Sequence, residues 1–154
     1  MTNSTDTPDT TDMGSAPPPR WVLKTFTKLN VLVYRLSGGR LMNTLAGLPI
    51  ILVKMTGAKS GKPRTIPLMY VPHDKGFILV ASQGGAPKHP VWYYNLVKYP
   101  RVEITQGGKT STLKARRVSD EEKAELWPTC VKYYPPYQQY QNRTDRNIPV
   151  FLCE

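Results

Sequence analysis

The stretch PIILVKMTGAKSGKPRTIPLMYV, residues 49–71, places two apolar runs on either side of a segment rich in glycine and lysine. The flanking runs, residues 49–56 and 64–71, have the length and the branched or aliphatic content of strands. Gly57 and Gly61, which lie between them, are typical of a turn. The stretch therefore predicts two strands joined as a β-hairpin.

The turn of this hairpin also has the composition of a phosphate-binding loop, because residues 55–70 contain two glycines, three cations and no acid. A Walker-type P-loop is excluded, since it needs four residues between its glycines, then Lys and Ser/Thr, and a following helix. Gly57 and Gly61 enclose only three residues, and Pro63 offers neither a hydroxyl nor a backbone N–H. Two interpretations remain: the glycines only form the turn, or the turn also binds phosphate.

The chain length of 154 residues predicts one domain with a single core, over residues 20–154. Residues 1–19 are polar and rich in Pro and Thr and lack the apolar region of a secretory signal, so they predict a disordered tail. In residues 20–36, apolar side chains recur at helical spacing and the cations lie on another face, which predicts a basic amphipathic helix. No apolar run is long enough to span a membrane, and we expect a cytoplasmic protein.

The distribution of charge is more informative than the net charge of +10. Between Met13 and Val102 there are thirteen Lys or Arg residues and one acid, Asp74. Such an excess of cations indicates an anionic partner, for which nucleic acid, anionic lipid and a polyanionic small molecule are the candidates. The alternative is a basic surface with no dedicated partner.

The rest of the sequence predicts more strands than helices. Further strands are expected over residues 76–82, 101–106, 109–118 and 148–153, with a hairpin turn at Gly107 and Gly108. The predicted fold class is mainly β with peripheral helices (α+β), arranged as a small β-barrel.

Two helices are predicted after residue 90. The segment VWYYNLVKYP, residues 91–100, suits a short helix with Pro90 at its start and Pro100 after its end. Residues 120–134 follow Ser119, which forms a capping box with Glu122. Pro128 is expected to kink this second helix.

Several classes of chemistry have no signature in this sequence. It contains no GxSxG, HExxH or GxGxxG motif, so hydrolase and Rossmann-type interpretations lack support. His73 and His89 have no partner at metal-ligand spacing, and no metal site is predicted. Cys130 and Cys153 stand far apart and outside any CxxC motif, so they are expected to be free structural thiols.

A second candidate binding segment is ASQGGAPKHP, residues 81–90, where a predicted strand runs into Gly84 and Gly85. A glycine loop before a helix start exposes backbone N–H groups and can receive an anion or a carbonyl oxygen. Lys88 adds positive charge. This loop and the turn at residues 57–64 are expected to form one basic groove.

Tyrosines are concentrated in YYPPYQQYQ, residues 133–141. Such rings suit either a pocket for a planar substrate or a cover over the mouth of the barrel. Together with a basic groove and backbone donors, they would suit a large, planar, anionic cofactor.

Five segments resemble, in the same order, the deazaflavin (coenzyme F420)-dependent nitroreductases of actinobacteria, including mycobacteria: TGAKSGKPRTIPL, ASQGGAPKHPVWYYNL, DEEKAELWP, YPPYQQYQ and TDRNIPVFLCE. The resemblance covers residues 20–154. It implies a split β-barrel like that of proteins that bind flavin mononucleotide. It also implies that reduced coenzyme F420, which carries a phosphate and a glutamyl tail, is bound.

The resemblance also implies roles for particular residues. Lys59 and Arg64 match ligands of the phosphate and the tail, Pro67 lies along the deazaflavin, and Trp92 and Asn95 hold a helix against the site. Further cofactor-binding positions are Ala81, Ser82, Gln83, Gly84, Gly85 and Lys88. The substrate side is matched by Tyr134, Tyr137 and Tyr140, with Tyr134 as the residue that polarises the acceptor or relays a proton.

The implied reaction is hydride transfer from the reduced deazaflavin to quinones, nitroimidazoles or activated enones. One alternative is an oxidoreductase that uses flavin mononucleotide on the same barrel. A second is a non-catalytic binder of anionic membrane or nucleic acid, which would explain the charge but not the glycine loop and the tyrosines. For the enzyme we expect no nucleic-acid partner and a peripheral contact with the inner face of the membrane through residues 20–36.

Overall fold

The protein is described by a computed structural model over residues 44–45, 48–74 and 76–154. The predicted tail, residues 1–19, and the predicted amphipathic helix, residues 20–36, lie outside the described residues. The strands within them are β1 (Thr44–Leu45), β2 (Leu48–Thr56), β3 (Pro63–Met69), β4 (Val71–His73), β5 (Gly76–Val80), β6 (Arg101–Gln106), β7 (Lys109–Arg117) and β8 (Val150–Cys153). The α-helices are α1 (Val91–Lys98), α2 (Asp120–Tyr133) and α3 (Pro136–Arg143).

The predicted hairpin at residues 49–71 is confirmed. Strands β2 and β3 pair antiparallel from Ile50 opposite Met69 to Thr56 opposite Pro63. The other edge of β2 pairs with β1 and with β6, so this strand lies inside the sheet. Its apolar residues are accordingly buried on both faces, which explains why the sequence here is a nearly continuous apolar run.

The strands form one curled antiparallel sheet in the order β1-β2-β6-β7-β8-β5-β4, with β3 attached to β2. The hairpin predicted at Gly107 and Gly108 joins β6 to β7. This arrangement is a half-barrel with helices at its periphery, and the predicted class, mainly β with peripheral helices, is confirmed. Of the helices in the described part of the chain, none is long and apolar enough to cross a lipid bilayer.

Strands β5 and β8 divide the hydrophobic core in two. On β5, Leu79 belongs to the cluster inside the half-barrel and Ile78 to the cluster under α2 and α3. On β8, Phe151 and Leu152 divide between the same two clusters. Because successive side chains of a strand point to opposite faces, both strands need apolar residues at every position.

Helix α1 packs on the cluster inside the half-barrel through its aromatic side chains. The rings of Trp92 and Tyr93 lie 6.0 Å and 5.8 Å from the ring of Phe151 on β8. Leu96, one turn further on, is 1% exposed. The helix is therefore fixed to the barrel by the same strand that separates the two clusters.

Some local predictions need correction. The run predicted as one strand over residues 64–71 is interrupted at Tyr70, where β3 ends and β4 begins. Ser119 accepts a hydrogen bond from the backbone N–H of Glu122 at 3.1 Å, as a cap should. The Glu122 carboxylate, however, pairs with Arg116 at 2.7 Å and does not complete the capping box.

The remaining points concern helices. Helix α2 runs through Pro128 as a single element, and the kink expected there stays a prediction. Helix α3 was not predicted, because its sequence, PYQQYQNR, has no apolar periodicity.

The two thiols are free and buried, as predicted. Burial raises the pKa of Cys130 to about 11 and that of Cys153 to about 12. The thiolate is the reactive form of cysteine, so both residues act as small apolar side chains of the core.

Candidate active site

The hairpin turn between β2 and β3 is fixed by its own hydrogen bonds. The N–H of Gly57 donates to the Lys62 carbonyl at 2.8 Å, and the N–H of Gly61 donates to the Gly57 carbonyl at 2.9 Å. The Lys62 N–H reaches the hydroxyl of Ser60 at 3.2 Å. The turn is thus a defined support for the exposed side chain of Lys59.

Arg64 lies at the same end of the hairpin as Lys59. It stands opposite Met55 near the start of β3, and its side chain is exposed. A Cβ atom added to Gly57 would lie 3.8 Å from the Arg64 Nε, so this side chain runs close to the turn. The structure therefore brings the two predicted phosphate ligands to one place.

Pro67 lies three residues further along β3, opposite Leu52. Because a strand rises by about 3.3 Å per residue, Pro67 and Arg64 are about 10 Å apart along β3.

Helix α1 is tied to the hairpin turn through Asn95. The Asn95 side-chain oxygen accepts a hydrogen bond from the Ala58 N–H at 2.8 Å, and its nitrogen donates to the sulfur of Met55 at 3.5 Å. Lys98 donates to the carbonyl of Ala58 at 2.9 Å. Asn95 is 7% exposed, so its polar groups are directed inward to hold the turn.

The second predicted segment forms a tight loop directly after β5, and residues 81–86 are named the glycine loop. Gln83, Gly84 and Gly85 have φ angles of 44°, 63° and 77°, all in the left-handed region. The Gly85 N–H donates to Ser82 at 2.9 Å and the Ala86 N–H to Gln83 at 3.1 Å. A left-handed conformation is unusual for a residue with a side chain, and it persists only where the surroundings hold it.

Those surroundings are supplied by Arg146, which lies just before β8. Its guanidinium donates to the carbonyl oxygens of Ala81 at 3.1 Å, Ser82 at 2.6 Å and Ala86 at 2.7 Å. The strand pairing brings the segment before β8 to this position, since the Ala81 N–H also donates to the carbonyl of Pro149. The loop is therefore built around one half-buried cationic group.

His89 closes the other end of the loop. Its Nδ1 lies 3.1 Å from Nη1 of Arg146, and because a guanidinium only donates, the Nδ1 accepts. The imidazole also stacks on Tyr93 at 4.2 Å and meets the edge of Tyr94 at 6.2 Å. Burial, followed by the charges of Arg146 and Arg117, lowers the pKa of His89, which favours the neutral ring needed for this contact.

The tyrosine segment forms helix α3, which packs directly on the glycine loop. A Cβ atom added to Gly85 would lie 2.6 Å from the backbone oxygen of Tyr140, so loop and helix are in backbone contact. The hydroxyls of Tyr134 and Tyr140 are 3.1 Å apart. This hydrogen bond, with burial, raises the pKa of Tyr134 to about 12, and the phenol keeps its proton at neutral pH.

The predicted substrate residues differ in exposure. Tyr134 and Tyr140 are half-buried, whereas Tyr137 is 4% exposed. The ring of Tyr137 meets that of Tyr134 edge-on at 4.9 Å. Tyr137 therefore contributes mainly to the packing that holds the other two rings.

The glycine loop and the hairpin turn lie at opposite ends of α1. The start of the helix follows His89 and the loop, and its end contacts the turn through Lys98. A helix of eight residues is about 12 Å long. The single groove predicted from the sequence is thus an extended surface along α1, with exposed Lys88 beside the loop.

Two cavities are lined by other residues. One, of about 410 Å³, is lined by Lys54, Met55, Thr56, Pro63, Tyr99, Pro100, Arg101, Val102 and Glu103. The other, of about 370 Å³, is lined by Asp120, Lys123, Ala124, Trp127, Pro128, Gln141 and Asn147. Neither contains a residue predicted for the site. In the described ranges, no group of His, Cys, Asp and Glu side chains is arranged to hold a metal ion.

Comparison with known proteins agrees with the motifs and the fold. Residues 26–154 match the family described as F420H(2)-dependent quinone reductase. The chain belongs to this family. An F420H(2)-dependent quinone reductase of Mycobacterium tuberculosis is 39% identical to it over 129 residues, which cover 81% of this chain and 87% of the relative.

The fold is shared with solved structures. A structure of an F420-H2 dependent reductase is 48% identical to this chain and superposes with a TM-score of 0.64, covering 69% of this chain and 94% of that one. The heme storage protein HutZ of Vibrio cholerae is 13% identical, with a TM-score of 0.51 over 68% of this chain and 80% of its own, and it shows only that the fold is shared. The predicted family and the predicted split β-barrel are confirmed.

Sequence reasoning missed Arg146, Arg117 and the structural role of His89. Arg117 donates to the hydroxyl of Tyr93 at 2.8 Å, and so supports the ring on which His89 stacks. The segment TDRNIPVFLCE resembles the family, but nothing in it shows that its arginine contacts a loop about sixty positions earlier. The only available signal was a cation immediately before a buried strand.

Stability should depend on pH through His89. The pKa of His89 is lower in the folded state than in the unfolded state. Its contribution to the free energy of unfolding is therefore fully present above the unfolded pKa of about 6.5, and it is lost as the pH falls from 6.5 to below the folded-state pKa. We expect the melting temperature of the wild type to fall more between pH 7.5 and 5 than that of His89→Asn. Equal pH dependence of the wild type and His89→Asn would contradict the prediction.

Proposed function

We propose that this protein transfers a hydride from reduced coenzyme F420 to a quinone on the surface formed by the glycine loop, α1 and α3. The observation that carries the proposal is the direct contact between Gly85 and Tyr140. It places the predicted cofactor loop next to the tyrosines predicted to receive the acceptor. Hydride transfer requires donor and acceptor to be held side by side, and this contact supports such an arrangement.

The residues present fit a deazaflavin with an anionic tail. Lys59 and Arg64 are exposed cations at one end of α1, where the planar guanidinium of Arg64 can bind two phosphate oxygens at once. At the other end, the glycine loop offers backbone donors suited to ring oxygens. The length of α1 between these ends supports an extended ligand, with its rings at the loop and its phosphate at the turn.

The remaining cofactor assignments follow the same orientation. Ala81, Ser82, Gln83, Gly84 and Gly85 would hold the ring system, and Lys88 would extend the positive surface. Asn95 and Trp92 act by holding α1, through Ala58 and Phe151 respectively. Pro67, on β3, is assigned to the side of the ring system.

Bound reduced F420 supplies a hydride, that is, two electrons and one proton, at a ring carbon. A quinone that takes up this hydride needs one further proton to become the quinol. Tyr134 is protonated at neutral pH and is bonded to Tyr140, so it can donate to the acceptor oxygen and regain its proton through Tyr140. The protein then contributes orientation, exclusion of water and a positioned proton donor.

The family assignment favours deazaflavin over flavin mononucleotide, which the hairpin turn alone does not distinguish. It also favours an enzyme over a non-catalytic binder of membrane or nucleic acid. The same hydride and proton can reduce an activated enone or a nitro compound. We therefore extend the proposal to these acceptors, including nitroimidazoles.

A direct test is titration of the purified protein with F420 and, separately, with flavin mononucleotide, followed by mixing of the reduced F420 complex with menadione. We expect saturable binding of F420 and loss of the reduced-deazaflavin signal on addition of the quinone. Binding of flavin mononucleotide alone would replace the proposal with the flavin alternative.

Replacement of Arg64 by Ala should weaken F420 binding. A charge-assisted contact with phosphate contributes about 1.5–3 kcal/mol, so the Kd should rise roughly ten- to a hundredfold. Fluorescence titration of the folded variant measures this. Lys109→Ala removes one charge at the far end of the β6–β7 hairpin and should leave the Kd unchanged. If both variants bind as the wild type does, Arg64 is not a phosphate ligand.

Replacement of Tyr134 by Phe should leave F420 affinity unchanged and slow the reduction of menadione and of a nitroimidazole. The reason is that the ring still packs on Tyr137 while the proton donor is lost. A loss of one well-placed proton donor corresponds to roughly a hundredfold slower hydride transfer. Single-turnover rates at saturating acceptor measure this step. Gln139→Ala, at an exposed position on α3, is the control. Unchanged rates in Tyr134→Phe would show that the Tyr134 hydroxyl is not the proton donor and that the residue contributes only packing.

A finer part of the proposal concerns residues 20–36, which we propose contact anionic membrane and bring the enzyme to lipid-soluble quinones. It is supported by the apolar and basic pattern of that segment and by the family's quinone substrate. Lys24→Glu with Lys28→Glu should weaken binding to phosphatidylserine vesicles by about 1 kcal/mol per cation removed, and added salt should have a similar effect. Co-sedimentation of the full-length chain measures this, with Lys109→Glu and Lys114→Glu as the matched double control. Equal loss in both double variants would show only nonspecific attraction.

A further inference from the structure

Arg146 lies beneath the glycine loop and binds it only through acceptor groups. Its three carbonyl partners, on Ala81, Ser82 and Ala86, come from both sides of the left-handed segment. Its fourth contact is with the Nδ1 of His89. One planar guanidinium thus fixes the loop at its start and its end.

These contacts determine where the backbone donors of the loop point. The peptide bonds of the described residues are all trans, so the C=O and N–H of one peptide unit point in opposite directions. Because the carbonyls of Ala81 and Ser82 are directed at Arg146, the N–H groups of Ser82 and Gln83 point away from it. No described residue accepts a hydrogen bond from either group.

The charge of Arg146 acts on the same peptide units. A cation bonded to a carbonyl polarises the peptide and makes its N–H a stronger donor, because hydrogen bonds in a chain reinforce each other. The third carbonyl, on Ala86, precedes Pro87, which has no N–H, so there the contact serves only to anchor the loop.

We propose that Arg146 is the positioning residue for the cofactor loop, and that its forked contact with the Ala81 and Ser82 carbonyls aims the N–H groups of Ser82 and Gln83 at an electron-rich oxygen of the ligand. The ligand assignment rests on the proposed function, whereas the effect on the loop does not. Gln83 adopts its left-handed conformation because the loop is held on both sides, and a single ammonium group cannot reproduce this support.

The test uses the full chain and the variants Arg146→Lys, which keeps the charge, and Arg146→Met, which removes it. Lys109→Met is the matched charge control. Hydrogen exchange is measured first, without cofactor, on the amides of Gly85 and Ala86, which are bonded within the loop. Both Arg146 variants should exchange there roughly tenfold faster or more. Amides in the β2–β3 hairpin, which contains none of the substituted positions, should be unchanged in every variant.

A second measurement separates loop positioning from general destabilisation. In NMR titrations, the pKa of His89 should rise in Arg146→Met, because a neighbouring cation that lowers it has been removed, while Arg117, Tyr93 and Tyr94 remain beside the ring. It should stay near the wild-type value in Arg146→Lys. A variant that merely lowers global stability would not move this pKa.

The third measurement is the Kd for F420. We expect a rise of roughly tenfold or more in both Arg146 variants. The reason is that the two N–H groups would no longer point at the ligand, so one or both of their hydrogen bonds to it would be lost. Wild-type affinity or wild-type exchange in Arg146→Lys would overturn the proposal, and this variant also decides the matter if Arg146→Met does not fold. Faster exchange in both variants, with no F420 binding by the wild type, would support the loop role and reject the proposed cofactor.

Discussion

The pairing of β5 with β8 is the constraint on which both the fold and the site depend. Both strands are buried on two faces, so they can lie only where the half-barrel and the outer helices meet. Their antiparallel register places Val80 opposite Val150. Whatever follows β5 must therefore lie beside whatever precedes β8. The glycine loop and Arg146 occupy these two positions, and their contact is a consequence of the strand pairing.

Two kinds of cation occur at the candidate site. Lys59 and Arg64 are exposed on a turn that is already complete without them, and they remain available to an external anion. Arg146 instead has its donors engaged by backbone carbonyls and acts on the ligand surface indirectly. A count of charges along the sequence does not distinguish these classes, although it correctly indicates an anionic partner.

Local patterns were sufficient to predict most strands and both hairpins, because turn glycines and apolar runs report on neighbouring residues. They failed where the determining contact is distant. Glu122 left its expected capping role because Arg116, on β7, offers a charged partner. Helix α3 was not predicted because it is stabilised by contacts of Tyr137 and Tyr140 with the hydrophobic cluster under α2 and α3. For the site, the resemblance to a family indicated which residues belong together, and the structure added how α1 separates the turn from the loop.

The backbone contact between Gly85 and Tyr140 also limits how the enzyme can diversify. At Gly85 the loop, which has no side chain there, meets the backbone of Tyr140 directly, so trimming a side chain of the loop at this point cannot absorb a movement of the helix. On the proposed assignment of the site, a substitution that shifts α3 to admit a bulkier acceptor would also displace the loop that binds the cofactor. Acceptor range and cofactor affinity would then be coupled, and selection for a new acceptor would be expected to recruit compensating changes in the loop or at the end of β5.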